Sequence, residues 1–75
     1  MKATVIVTLK PTVLDPQGMT IHRSLASLGL TDITEVRQGK IFHIQLKNGH
    51  REHVERLAKE VLTNPVIEEY RIMWE

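Results

Sequence analysis

Apolar and polar positions alternate with period two towards both ends of the chain and recur at helical spacing in two stretches between. Val5, Val7 and Leu9 alternate with Thr4, Ile6 and Thr8. This β-branched run predicts a strand over residues 3–10, with one strongly apolar face and a second, partly apolar one. Met19, Ile21, His22, Leu25 and Leu28 then recur at roughly helical spacing, and Gly29-Leu30 has the form of a left-handed stop with its trailing hydrophobe, so a first helix is predicted over residues 16–28. Ile33 and Val36 bracket polar residues ahead of Gly39-Lys40, after which Ile41-Phe42-His43-Ile44-Gln45-Leu46 alternates cleanly. The two runs predict a hairpin, strands at 33–38 and 41–46, with Phe42, Ile44 and Leu46 on one face. Val54, Leu57, Ala58, Val61 and Leu62 form an i, i+3, i+4, i+7, i+8 stripe for a second helix over residues 51–63, ended by Asn64-Pro65. Tyr70, Ile72 and Trp74 alternate with Glu69, Arg71 and Met73 in a last strand over residues 66–74.

The predicted order is β-α-β-β-α-β in a single domain, residues 1–75: an α+β, ferredoxin-like two-layer sandwich, its antiparallel sheet carrying the helices on one face. The opposite face would carry Ile6, Ile41, His43 and Met73, too apolar to stay wet, so self-association as a dimer or tetramer is expected. Length agrees, because a chain of 75 residues buries only about 60% of the surface its unfolded form exposes. There is no cysteine to staple a thin core or act as a nucleophile, which suits the cytosol. The run from Met1 to Leu9 is too short for a signal sequence with its cleavage site, and no apolar run approaches a membrane span, so a soluble cytoplasmic chain is expected. A formal charge of +1 gives no general pull towards nucleic acid, membrane or an acidic partner.

Candidate chemistry is sparse. His50 and His53 stand at i, i+3 on the second helix with His43 elsewhere, read as solvated helix surface rather than a zinc set. Glu68 and Glu69 face opposite sides of a strand and cannot share a proton. No P-loop or G-x-G-x-x-G phosphate cradle exists, and Phe42, the one phenylalanine, is more use to the core than to stacked bases. The strongest local signal is the stretch from Thr8 to Gly18. Pro11 ends the strand and pushes Lys10 towards extended geometry, while Asp15-Pro16 places an N-cap carboxylate before the residue type favoured at the first helical position. The stiffened loop keeps Lys10, Asp15 and Gln17 pointing outward and is read as a surface presented to a partner. Asp15 and Pro16 are equally explained by capping alone. Gly18 in the first turn costs about 1 kcal/mol relative to alanine, which marks either a close neighbouring backbone or tolerance near a helix end.

The run Leu9-Lys10-Pro11-Thr12-Val13-Leu14-Asp15-Pro16-Gln17-Gly18, with Val36-Arg37-Gln38-Gly39-Lys40 and Asn64-Pro65-Val66-Ile67-Glu68-Glu69-Tyr70, resembles the PurS family across the whole chain. Thr12 departs from the glycine usual in that family. The resemblance implies a non-catalytic small subunit of phosphoribosylformylglycinamidine synthase in purine biosynthesis. In that ATP-dependent carbon–nitrogen ligase a glutaminase subunit releases ammonia and a large synthetase subunit, using ATP and Mg2+, installs the nitrogen. The small subunit, itself a homo-oligomer, bridges the two and supports ammonia transfer. The resemblance also implies no cofactor, metal or catalytic residue on this chain. Its docking surface would be Lys10, Pro11, Asp15, Pro16, Gln17 and Gly18 with Arg37 and Lys40. The alternative is a stand-alone ferredoxin-like dimer that senses a small ligand, holding an anion at the helix N-terminus beside Asp15-Pro16-Gln17-Gly18.

Overall fold

The β-branched run near the N-terminus forms the middle of the sheet. A computed structural model describes residues 1–75, with β1 at Lys2–Leu9, α1 at Pro16–Leu25, β2 at Gly39–Gln45, α2 at Arg51–Leu57 and β3 at Glu68–Trp74. The strand order is β2-β1-β3, and β1 is antiparallel to both neighbours. The flanking strands β2 and β3 therefore run parallel, and the connection through α2 must cross over β1. That crossover makes the core: Ala3, Val5 and Val7 of β1 are buried against Val54 and Ala58, with Phe42, Ile44, Tyr70, Ile72 and Trp74 packed around them. The predicted alternation in all three strands holds. No helix is long and apolar enough to cross a membrane.

α1 has a different relation to the sheet. It leaves β1 at Lys10 and the chain re-enters β2 at Gly39, which pairs with Thr8, so exit and return lie at the same end of the sheet. Nothing in α1 belongs to the core cluster, and Gly18 is its one buried residue. The radius of gyration is 15.7 Å and the long axis 49 Å, against about 11 Å for a compact chain of this length. α1 and its return segment thus form an arm beyond the sheet. Ala26–Leu28 continues α1 as a 3-10 turn, and Gly29, at φ 75°, ends it as the sequence predicts. The Leu30 N–H donates to the Leu25 carbonyl at 3.2 Å and the Gly29 N–H to Ala26 at 3.1 Å, a Schellman stop.

α1 therefore does not share a sheet face with α2, as had been expected of both helices, and two further expectations need correction within an α+β class that stands. The sheet has three strands, because residues 33–38 do not form a strand and Gly39-Lys40 opens β2 rather than turning a hairpin. The backbone of 33–38 finds its partners on the arm instead. The Ile33 carbonyl lies 2.8 Å from His22 Nε2, the Val36 carbonyl lies against Gly18, and the Gln38 N–H donates to Asp15, which draws the segment along α1 rather than alongside a strand. The second correction concerns the helical stripe. Ala58–Leu62 continues α2 as a π-helical turn, whose wider winding rotates Val61 outward to 71% exposure while Leu62 still packs on the core.

The face away from α2 is open. Ile41 is 57% and Met73 44% exposed there, with Ile6 paired directly to Ile41.

Candidate functional site

At the end of the sheet where α1 departs, four segments meet around one carboxylate. Lys10-Pro11-Thr12-Val13 is a tight turn, the Val13 N–H donating to the Lys10 carbonyl at 2.9 Å, with proline in the second position, where its fixed φ suits the turn. The Lys10 N–H donates to the Ile67 carbonyl at 2.9 Å, which ties this turn to the approach to β3. Asp15 then takes an extended conformation as N-cap of α1. One carboxylate oxygen accepts the Gly18 N–H at 2.8 Å, and the other accepts the Gln38 N–H at 2.9 Å. Asp15 is only 3% exposed, so the cap is also a clasp joining the start of α1 to the start of β2.

Neighbouring groups reinforce the clasp. Arg37 Nη2 donates to the Lys10 carbonyl at 3.1 Å, the Gln38 side-chain amide donates to Gln17 Oε1, and Lys40 Nζ stands 3.8 Å from a Glu68 carboxylate oxygen. The other Glu68 oxygen accepts the Asn64 N–H at 2.8 Å, so the predicted Asn64-Pro65 stop is joined to β3. Between these segments lies a recess of about 500 Å³, floored by Val7 and Leu9 and rimmed by Gln17, Gln38, Lys40 and Glu68. Beside it, Gly39 cannot carry a side chain: a Cβ there would stand 2.5 Å from the Val7 carbonyl oxygen.

All eight residues singled out from the sequence gather at this end of the molecule, in two roles. Pro11, Pro16, Gln17, Arg37 and Lys40 are exposed and Lys10 is half-buried, forming the outer rim. Asp15 and Gly18 are buried and hold the rim from within, so Asp15 does not point outward as expected. Of the two readings of Gly18 the structure has the close backbone, the Val36 carbonyl, whose oxygen would stand 2.3 Å from a Cβ. Sequence reasoning missed Gln38, whose main chain and side chain both bind the loop, and Glu68. A backbone N–H partner 23 residues away has no local signature.

The two N–H donors, Gln38 first and Gly18 next, hold the Asp15 carboxyl below the ordinary value of 3.8, and the nearby Arg37 guanidinium acts in the same direction. Because folding lowers this pKa, the ionised carboxylate favours the folded state. Its contribution is complete above the unfolded value and is lost as the pH falls below 3.8 through the folded value. Asp15→Asn, whose amide cannot accept at both positions, is expected to melt about 5–10 °C lower at neutral pH. In thermal melts the gap to the wild type should narrow as the pH falls from 7 to below 3.8; a gap of constant size would contradict the clasp.

Residues 2–75 match the family model described as PurS, phosphoribosylformylglycinamidine (FGAM) synthase. Curated relatives named as subunit PurS of that synthase include one from Methanocaldococcus jannaschii, 43% identical over 95% of this chain and 90% of its own. Another, from Bacillus subtilis, is 36% identical over 93% of this chain and 87% of its own. Among solved structures, Methanocaldococcus jannaschii PurS, described as one of the subunits of formylglycinamide ribonucleotide amidotransferase in the purine biosynthetic pathway, superposes with a TM-score of 0.84. That match covers 96% of this chain and 92% of the other, at 43% identity. A chain of PurLQS from Thermotoga maritima matches with a TM-score of 0.81 at 33% identity, covering 96% of this chain and 93% of that one.

Proposed function

The chain belongs to the PurS family of phosphoribosylformylglycinamidine synthase subunits in purine biosynthesis, and on that premise we propose that it bridges the glutaminase and synthetase subunits and helps enclose the ammonia passing between them. The observation that carries this reading is the Asp15 clasp, which fixes the rim of Pro11, Pro16, Gln17, Arg37 and Lys40 before any partner arrives. A preorganised rim loses little conformational freedom on docking. Ammonia is lost to protonation and dilution in open water, so a subunit that seals a junction raises flux without making or breaking a bond. In this reading the chain supplies no catalytic residue, and ATP and Mg2+ are handled by the large subunit. A chain resembling this one occurs in a three-component PurLQS structure, which fits a role in assembly. We place the complex in the cytoplasm and the chain in it as a homo-oligomer, whose second copy covers Ile6, Ile41 and Met73.

The clasp argues against the sensor reading. An anion at the N-terminus of α1 would need the Gly18 N–H, and the Asp15 carboxylate already holds that donor and supplies the negative charge.

The test compares glutamine-dependent with ammonia-dependent synthesis by the large subunit and glutaminase, with and without this chain. Adding it should restore the glutamine-dependent reaction alone. Arg37→Ala should raise the concentration of the chain needed for half-maximal glutamine-dependent rate by about tenfold, as for one lost docking contact, with the ammonia-dependent rate unchanged. If the chain alters neither reaction, or if both rates move together, bridging is wrong.

A further inference from the structure

We propose that His50, Glu52 and His53 form a binding site for a divalent transition-metal ion of the zinc class. The three lie where α2 begins, just after β2 ends, at the opposite end of the sheet from the Asp15 clasp. The helical turn places His50 and His53 on one side. Their rings stack with centroids 5.0 Å apart and planes 25° from parallel. Glu52 folds back towards them, one carboxylate oxygen 3.2 Å from His50 Nδ1. One donor atom from each residue lies within 4.8 Å of the others.

Tetrahedral zinc with ligand bonds of about 2.0–2.1 Å needs donor atoms roughly 3.3 Å apart. The His50–Glu52 edge, at 3.2 Å, meets this. All three side chains are exposed, so rotation about their own bonds closes the two remaining edges, both to His53, without disturbing the core. Two imidazole nitrogens and one carboxylate oxygen make a donor set that suits zinc, nickel or copper, whereas magnesium and calcium prefer all-oxygen shells. Capping does not account for His50, which stands at the N-cap of α2 without a side-chain hydrogen bond to the helix backbone. The adjacent cations are engaged elsewhere: Arg51 lies over the Trp74 ring at 4.9 Å, and Arg56 pairs with Glu60 at 3.0 Å. Three protein ligands leave a coordination position open to water or to a donor from another molecule.

The test is calorimetric titration of the tag-free, chelator-treated chain with zinc chloride, and separately with magnesium chloride. The expected result is one zinc per chain with a dissociation constant on the order of 10 μM and no magnesium binding. His53→Ala and Glu52→Gln should each weaken zinc about tenfold or more, while His22→Ala and His43→Ala leave it unchanged; circular dichroism checks the fold of each. Absence of saturable zinc binding, binding that survives His53→Ala, or binding lost with His43→Ala would overturn the site. None of these outcomes depends on the synthase assay.

Discussion

Gly18→Ala is expected to lower the melting temperature by about 10 °C, corresponding to roughly 2 kcal/mol for a domain of this size. On an isolated helix the change would help, because alanine is the better helix former by up to about 1 kcal/mol. Here the added Cβ would stand 2.3 Å from the Val36 carbonyl oxygen and 2.8 Å from the Asp15 carboxylate. Neither neighbour is free to yield. The Val36 carbonyl belongs to a backbone held two residues later by the Gln38 N–H on Asp15, and the carboxylate is fixed by that bond and by the Gly18 N–H. Relief requires moving the return segment away from α1, which breaks the clasp. Hydrogen exchange at the Gln38 amide is therefore expected to accelerate along with the fall in stability, and the glutamine-dependent reaction to require more of the chain. A variant as stable as the wild type, with Gln38 still protected, would mean that residues 33–38 do not seat on the arm.

Gly18 also shows how far a sequence carries. Its place in a first helical turn allowed either a close backbone or mere tolerance near a helix end, and could not name the backbone, since Val36 comes near only after the chain has gone out along α1 and back. The same limit governs Asp15. Its residue type and Pro16 state a helix cap, and the structure has that cap, yet one cap consumes one carboxylate oxygen and says nothing about the other. The strands were legible because period-two alternation reports directly which side chains face the core, and the Gly29-Leu30 stop because left-handed geometry selects glycine locally. Residues 33–38 misled because two side chains of the arm tie down their backbone, His22 at the Ile33 carbonyl and Asp15 at the Gln38 N–H, a use that no periodicity encodes. The π turn at Ala58–Leu62 shifted Val61 for a similar reason: five residues wound more widely invalidate an angular count based on 3.6 residues per turn.

Val5→Ala tests the other half of the molecule. Val5 is 0% exposed and sits between Phe42 and Ile72 in the register of the sheet, directly under α2. Removing its two methyl groups loses their transfer free energy and leaves a cavity that Val7 and Val54, already fully packed, cannot fill, a cost of about 2–3 kcal/mol. A core of five buried apolar residues in so short a chain supplies on the order of 3–5 kcal/mol, so the isolated variant should sit near its unfolding midpoint at room temperature. Self-association acts on folded chains alone, so covering Ile41 and Met73 with a second copy would draw the variant back to the folded state by mass action. The melting temperature of Val5→Ala is accordingly expected to rise with protein concentration, and that of a Val5→Ala, Ile41→Glu double variant to stay low at every concentration. A Val5→Ala chain that melts with the wild type when dilute would place the stability outside the α2 core. A melt independent of concentration would leave the open face of the sheet without a second copy to cover it.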